Sequence, residues 1–440
     1  MENKQEYLDR MKEIAAKVLK KARAAGADYA QCTASESEKR EFNVDGGRFS
    51  LMRTLFDRGV TLTVLKDRRK GSVAINRFDE DALTRAVADG LAASEGAEPD
   101  DAWQFEDVPV DRMIVEGEPV CDSEALFART RELLEDIHKR HPKILMEQMI
   151  TEHQVTRRAF LNTSGVSYCK ESGAYSFSLM YSAHEGEKSS SFYGSDVTLA
   201  NLDRPVISCA LIERELAAVE KQIETRPLQG KFTGPVILAP AAFYEIVLST
   251  ILGNFVSDSS LIDGTSIWKE KLGQQVADPR LTVSFTPHSE DVVLGQDYTG
   301  EGYPAVNFDL IREGKLVSFN LSQYGANRTG GVRAGCACGN ITVPAGNESL
   351  EEMIRDIDRG ILVMRFSGGS PASSGEFSGV AKNSFLIENG KITDALAETM
   401  ISGCVPEMLN NLRGLTKDTL RDGSISLPYA AFNNLMISGK

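Results

Sequence analysis

Apolar residues at Leu8, Met11, Ile14, Ala15, Val18 and Leu19 keep the three-to-four spacing of one helical face. They predict a helix over residues 5–25, stopped by Gly26. The period then changes to two. Alternation over 29–35 and over 60–65, where Val60, Leu62 and Val64 share a face, predicts strands, with 71–75 as the hairpin partner of the second. Asp79 is placed to cap a helix to about residue 94, with Leu83, Val87 and Leu91 four residues apart. Residues 95–120 are acidic, contain Pro99, Pro109 and Pro119 and show no periodicity, so a surface loop is expected. Asp122 or Ser123 caps the next helix, to about 139. Strand patterns follow at 143–150 and at 175–181, and a helix is expected over 205–219.

The polar stretch 220–234, with Pro227, Gly230 and Gly234, marks a candidate boundary between domains at 1–222 and 223–440. Beyond it the pattern predicts a short strand at 235–239, a helix from about Ala241, and hairpins around Glu313-Gly314 and Asn389-Gly390. Short helices are expected from Ser349, with Glu352 completing a capping box, and after Pro406. Long helices early and strands late argue for an α+β fold. The expected architecture is an N-terminal α/β domain with helices on a mixed sheet, then a strand-rich C-terminal domain of mainly antiparallel sheet.

Net charge is −14, and no basic run exceeds Lys-Asp-Arg-Arg-Lys at 66–70, so direct nucleic-acid binding is not expected. No apolar run approaches the roughly 20 residues of a membrane span. Residues 1–21 lack the apolar centre of an export signal, and a cytoplasmic location is expected. Seven scattered cysteines fit reduced thiols better than a disulfide framework. Cys336 and Cys338 are too close for the usual zinc knuckle, and small side chains in a Gly-rich segment explain them better. Either as a nucleophile would need a neighbouring base that the sequence does not show.

Five histidines offer no local ligand set. His138 and His141 sit at a helix end, His153 and His288 stand alone in polar surroundings, and His184-Glu185 begins like a zinc-peptidase motif without a second histidine. There is no nucleophile elbow and no phosphate-binding loop. The Gly/Ser-rich stretch 368–378 reads equally as an open surface loop or as a loop over a cleft.

Several segments in order resemble the TldD/PmbA metallopeptidase family. They are Ala25-Gly26-Ala27-Asp28, Arg58-Gly59-Val60 with the hairpin at Gly71-Ser72, and Asn162-Thr163-Ser164-Gly165-Val166. Later come Ser374-Gly375-Glu376-Phe377-Ser378, Ile387-Glu388-Asn389-Gly390-Lys391-Ile392 and Ile401-Ser402-Gly403. The resemblance implies that the helix from 241 stands where catalytic members carry His-Glu-x-x-x-His. Here that frame reads Tyr244-Glu245-Ile246-Val247-Leu248-Ser249, followed by Gly253-Asn254-Phe255. The family's third ligand, a cysteine before a Lys-Asp-Gly turn, maps to Thr419 ahead of Arg421-Asp422-Gly423.

Zinc needs nitrogen, thiolate or carboxylate ligands, and Tyr, Ser and Thr hydroxyls are poor ones. Tyr244, Ser249 and Thr419 are therefore degenerate ligand positions, no metal is expected in this chain, and Glu245 keeps the general-base position without a metal to serve. The alternative expectation for Glu245 is a helix-surface carboxylate, or a hydrogen bond between its side chain and Ser249. The pattern resembles the PmbA/TldE branch. That implies a non-catalytic subunit whose zinc lies in a TldD-type partner, acting on small or unfolded peptides. The alternative is a homodimeric binding or regulatory protein without proteolysis, a reading connected with the family's older label of DNA gyrase modulator.

Overall fold

A computed structural model describes residues 4–336, 339–369 and 371–439; Cys338 lies outside them. The N-terminal half opens with helix α1 (Lys4–Ala24), ended by Gly26 at φ +91°, where only glycine is unstrained. Strands β1 (Tyr29–Asp45), β2 (Arg48–Lys66) and β3 (Arg69–Ile75) form a meander. The tight turn between β2 and β3 uses Asp67 and Arg68, both at positive φ. Helix α2 (Glu80–Glu95) follows, and the Asp79 carboxylate accepts from the Ala82 N–H at its start.

The expected loop over 95–120 contains a strand, β4 (Val110–Gly117). It pairs in parallel with β6 and has both Met113 and Val115 exposed, so its sequence lacks the one-sided alternation that marks a half-buried strand. Helix α3 (Ser123–Arg140) is capped by Asp122. Strands β5 (Ile144–Asn162) and β6 (Val166–Glu185) are longer than the runs predicted at 143–150 and 175–181, and short β7 (Lys188–Ser189) and β8 (Tyr193–Leu199) pair with β6. The helix expected over 205–219 is two pieces, a 3-10 turn at Val206–Ser208 and α4 (Ile212–Glu220). They are broken where Ala210 adopts φ +49°, while the Ser208 hydroxyl bonds back to the Pro205 carbonyl.

These strands make one mixed sheet in the order β3-β2-β1-β5-β6-β4. Met11 and Val18 of α1 and Leu83 and Val87 of α2 pack on Cys32, Ala34, Leu62 and Val64. Asn162 organises the β5–β6 turn. Its Oδ1 accepts from the Ser164 and Val166 N–H groups, at 2.9 and 3.0 Å, and its amide reaches the Glu106 carbonyl.

The polar stretch after α4 carries β9 (Thr225–Pro227), and β10 (Lys231–Leu238) follows. Beyond the site helix described below come α6 (Asp258–Ile262), β11 (Val283–Phe285), β12 (Phe308–Arg312), β13 (Lys315–Leu316), α7 (Gln323–Thr329) and β14 (Ile341–Thr342). Then come α8 (Leu350–Arg355), β15 (Arg359–Gly368), β16 (Glu376–Glu388), β17 (Lys391–Ala397), β18 (Met400–Cys404), α9 (Val405–Asn410), β19 (Leu412–Arg421) and β20 (Ser426–Ser438). The second sheet is mainly antiparallel, with parallel pairs at β10–β15, β14–β20 and β9–β17. Both predicted hairpins form, each with its two turn residues at positive φ. The capping box at Ser349 and Glu352 has both of its bonds. The chain is α+β, with two sheets.

An apolar cluster joins them. Tyr175, Phe177 and Tyr193 from the first sheet and Leu216 from α4 pack in it with Ile237, Leu362, Phe385 and Tyr429 from the second. Aromatic stacking adds a second link, with Trp103 against Tyr324 of α7 at 4.0 Å and the Lys70 ammonium over the indole at 3.7 Å. Among the described residues no helix is long and apolar enough to cross a membrane.

Candidate functional site

Pro240 at the first helical turn starts α5 (Pro240–Phe243), which passes without a break into π-helical turns at Tyr244–Leu248 and Ile251–Phe255. The Ser249 N–H therefore bonds to the Tyr244 carbonyl, five residues back. In an ordinary α-helix, positions five apart point about 140° away from each other. The wider π turn brings positions 244 and 249 toward one side. Ile246, Val247 and Phe255 anchor the opposite side in the C-terminal core, where Trp268 lies 4.8 Å from the Phe255 ring.

Glu245, Ser249, Thr250 and Asn254 line a cavity of about 300 Å³, closed on its other side by Phe366, Gly368, Gly369 and Pro371. The Gly/Ser-rich stretch thus borders this cavity, and the Asn254 amide holds it by donating to the Pro371 and Ala372 carbonyls, both at 3.2 Å. Tyr244 is not part of this lining and is 37% exposed. Glu245 lies exposed on the helix surface, and partial burial at the cavity wall pushes its carboxyl above its usual range, against the opposing pull of the Phe366 backbone and the Arg365 charge. The Arg365 guanidinium rests 4.2 Å from the Phe192 ring.

The Ser249 hydroxyl donates to the Glu245 backbone carbonyl, not to its carboxylate as expected. The reason is local, since a Ser or Thr hydroxyl in a helix reaches the carbonyl four residues back. Thr250 does the same to Ile246 at 2.6 Å. Thr419 is not in this cavity. It lines another, of about 420 Å³, with Arg204, Asp291 and Arg421 among its walls, and its hydroxyl donates to the Lys417 carbonyl.

These residues do not fit zinc. Of the cavity's lining, only the Glu245 carboxylate is a competent donor; the Ser249 hydroxyl and the Asn254 amide are committed to backbone carbonyls. Among the described residues no group of three or more His, Cys, Asp or Glu is arranged to hold a metal ion. His141, His153 and His288 have structural partners instead. His141 ends α3 with Nδ1 3.0 Å from Glu220, and His288 Nε2 lies 2.9 Å from the Ala305 carbonyl. His153 is buried beside Tyr175 with Arg40 opposite it on β1, and its Nε2 lies 2.6 Å from the Glu118 carbonyl; burial lowers its pKa. Cys336 is buried, as its small side chain suggested.

Sequence reasoning missed one ionisable centre altogether. Glu215 of α4 is fully enclosed, with the Ser195 hydroxyl donating to it, Tyr193 at 3.3 Å and Tyr181 bonded to Ser195 at 2.8 Å. Burial outweighs these bonds and raises its carboxyl to about 7.

Comparison with known proteins adds the ancestry. Residues 230–439 match the PmbA/TldA metallopeptidase C-terminal domain, and residues 33–94 match PmbA/TldA metallopeptidase domain 1. The chain belongs to the PmbA/TldD metallopeptidase family. Metalloprotease PmbA of Escherichia coli O157:H7 is 24% identical over 420 residues, 89% of this chain and 87% of that protein. A Haemophilus influenzae PmbA homologue is 22% identical over 402 residues, 87% and 86% of the two chains. TldE from Thermococcus kodakarensis superposes with a TM-score of 0.83 at 19% identity, covering 97% of this chain and all of that one. A Bacteroides thetaiotaomicron protein described as a DNA gyrase modulator gives 0.83 at 20% identity, with 98% and 99% covered. Both likenesses concern the fold.

Proposed function

We propose that this chain is a non-catalytic subunit of a TldD-type zinc metallopeptidase that processes small or unfolded peptides, the zinc residing in the partner. The observation that carries this reading is the site helix. It carries a glutamate, a π turn and a cavity where the resemblance puts the family's metal motif, yet offers one competent zinc donor. Three protein ligands and an open position are the usual minimum for activating a water on zinc. The surviving role of the cavity is to border the space where an extended peptide runs, with the Gly368-Gly369 backbone available for strand-like pairing.

The test is co-expression with a TldD-type protein from the same cell, followed by metal analysis and peptide cleavage. The chain alone is expected to bind far less than one zinc and to cleave nothing, while the joint complex cleaves. Stoichiometric zinc on the isolated chain, lost in Glu245→Ala, would overturn the reading.

A further inference from the structure

Strands β15 and β16 set two cations opposite one another. Arg365 pairs with Lys382 in the antiparallel register, so the two side chains leave the same face of the sheet. Like charges so placed work against the strand pair. Both residues are half-buried. Among the described residues neither forms an ion pair, and the Arg365 Nε is buried without a hydrogen-bond partner. A buried donor left unpaired is costly. Burial accordingly pulls the guanidinium's pKa below its ordinary value, and Glu245 is the carboxylate that opposes this pull. One carboxylate against two cations leaves positive charge in excess.

The surroundings suit an anion. Phe192, itself 50% exposed, lies with its ring 4.2 Å from the Arg365 guanidinium. Stacking occupies a face of the guanidinium and leaves its planar edge, where paired N–H donors match a carboxylate. The segment carrying Phe192 is tied to β16 next to Lys382, since the Asn383 amide donates to the Ser191 carbonyl at 3.4 Å. The cavity of the site helix adjoins this place. Its wall includes Glu245 and Phe366, the residue after Arg365. On its β10 side β15 is paired only as far as Val363, and no described strand pairs with it beyond. At about 3.3 Å per residue, Gly368 lies about 10 Å from Arg365 along the strand. A peptide laid antiparallel to this stretch runs from Gly368 toward Arg365, and its C-terminus arrives there.

We propose that Arg365 and Lys382 form a seat for a carboxylate of a peptide bound in the adjoining cavity. Arg365 supplies the fork, Phe192 holds it in plane, and Lys382 adds charge. The antiparallel course makes the terminal carboxylate the natural occupant; an acidic side chain near the end of the peptide carries the same chemistry. The seat deepens the peptide-binding reading above and rests on it, but it makes no use of where the zinc lies.

The test titrates the full chain with three short neutral-sequence peptides bearing an uncharged dye at the N-terminus. One ends in a free carboxylate, one in an amide, and one in an amidated glutamate. A peptide with a carboxylate should bind at least about tenfold more tightly than the plain amide, or about 1.4 kcal/mol. The preference should shrink with added salt. A tighter free acid assigns the seat to the terminal carboxylate, and a tighter glutamate amide assigns it to a side chain. Arg365→Gln should bring both down to the affinity of the plain amide, and Lys382→Gln should do so in part. Neither variant should lower the melting temperature, because each removes one of two facing like charges, and this separates loss of the seat from loss of folding. Equal binding of all three peptides, a preference that survives Arg365→Gln, or no binding up to millimolar peptide would overturn the proposal. Zinc on the isolated chain would instead sink the subunit role and leave the seat standing.

Discussion

At the scale of single residues, Glu215 is the group whose behaviour differs most from its appearance in the sequence. Its carboxyl titrates near 7 in the folded chain, well above the ordinary value of 4.5. The folded state therefore holds the proton more tightly than the unfolded one. Stability from this group is complete below about pH 4.5 and is lost as pH rises toward 7, at up to about 1.4 kcal/mol per pH unit. Glu215→Gln cannot ionise, so its stability relative to the wild type should improve by about 1–3 kcal/mol between pH 5 and 8. Urea unfolding at both pH values measures this, and a pH-independent difference would refute it. Helical spacing puts Glu215 on the apolar face of Ile212, Leu216 and Val219 and leaves its neighbour Glu213 exposed, but it does not show what surrounds the acid. Its enclosure comes from β8 hydroxyls and from Tyr429, far along the chain, which no local pattern reveals. Glu245, by contrast, could be singled out from the motif frame alone.

At the scale of elements, local chemistry was legible wherever one segment completes its own structure. Asp79, Asp122 and Ser349 cap the helices they precede, and Asn389-Gly390 turns its hairpin, because each partner lies within a few residues. The π turns were not legible, since the sequence 244–255 reads as an ordinary apolar helix. Their five-residue hydrogen bonds disturb the four-residue ladder, and the hydroxyls of Ser249 and Thr250 serve carbonyls of the widened turn. Thr250 is buried and Ser249 is not. Thr250→Val should therefore destabilise by about 1–2 kcal/mol and Ser249→Ala by less, read from denaturant midpoints. Equal effects would show that these bonds do not support the turn. Strand β4 escaped sequence reasoning for a different reason: it is held by parallel pairing to β6, a partner about 55 residues away by the register of Val110 with Val166.

At the scale of the whole molecule, the α+β class followed from the change of period along the chain, but the way the halves meet did not. Tyr193 and Leu216 share a core with Leu362 and Tyr429, so a cut at residue 222 passes through buried apolar surface. Heat should then unfold both halves in one calorimetric transition, and residues 223–440 expressed alone should bind a hydrophobic dye. Two separable transitions would contradict a shared core. The chain's two tryptophans happen to stand at the two places where this arrangement can be watched. Trp103, sandwiched between Lys70 and Tyr324, emits from the contact between the halves, and Trp268, sealed beside Phe255, emits from behind the cavity helix. One replaced by phenylalanine leaves the other as a private optical signal. Intrinsic fluorescence can thus tell loosening of the inter-half contact from disturbance of the cavity without any label.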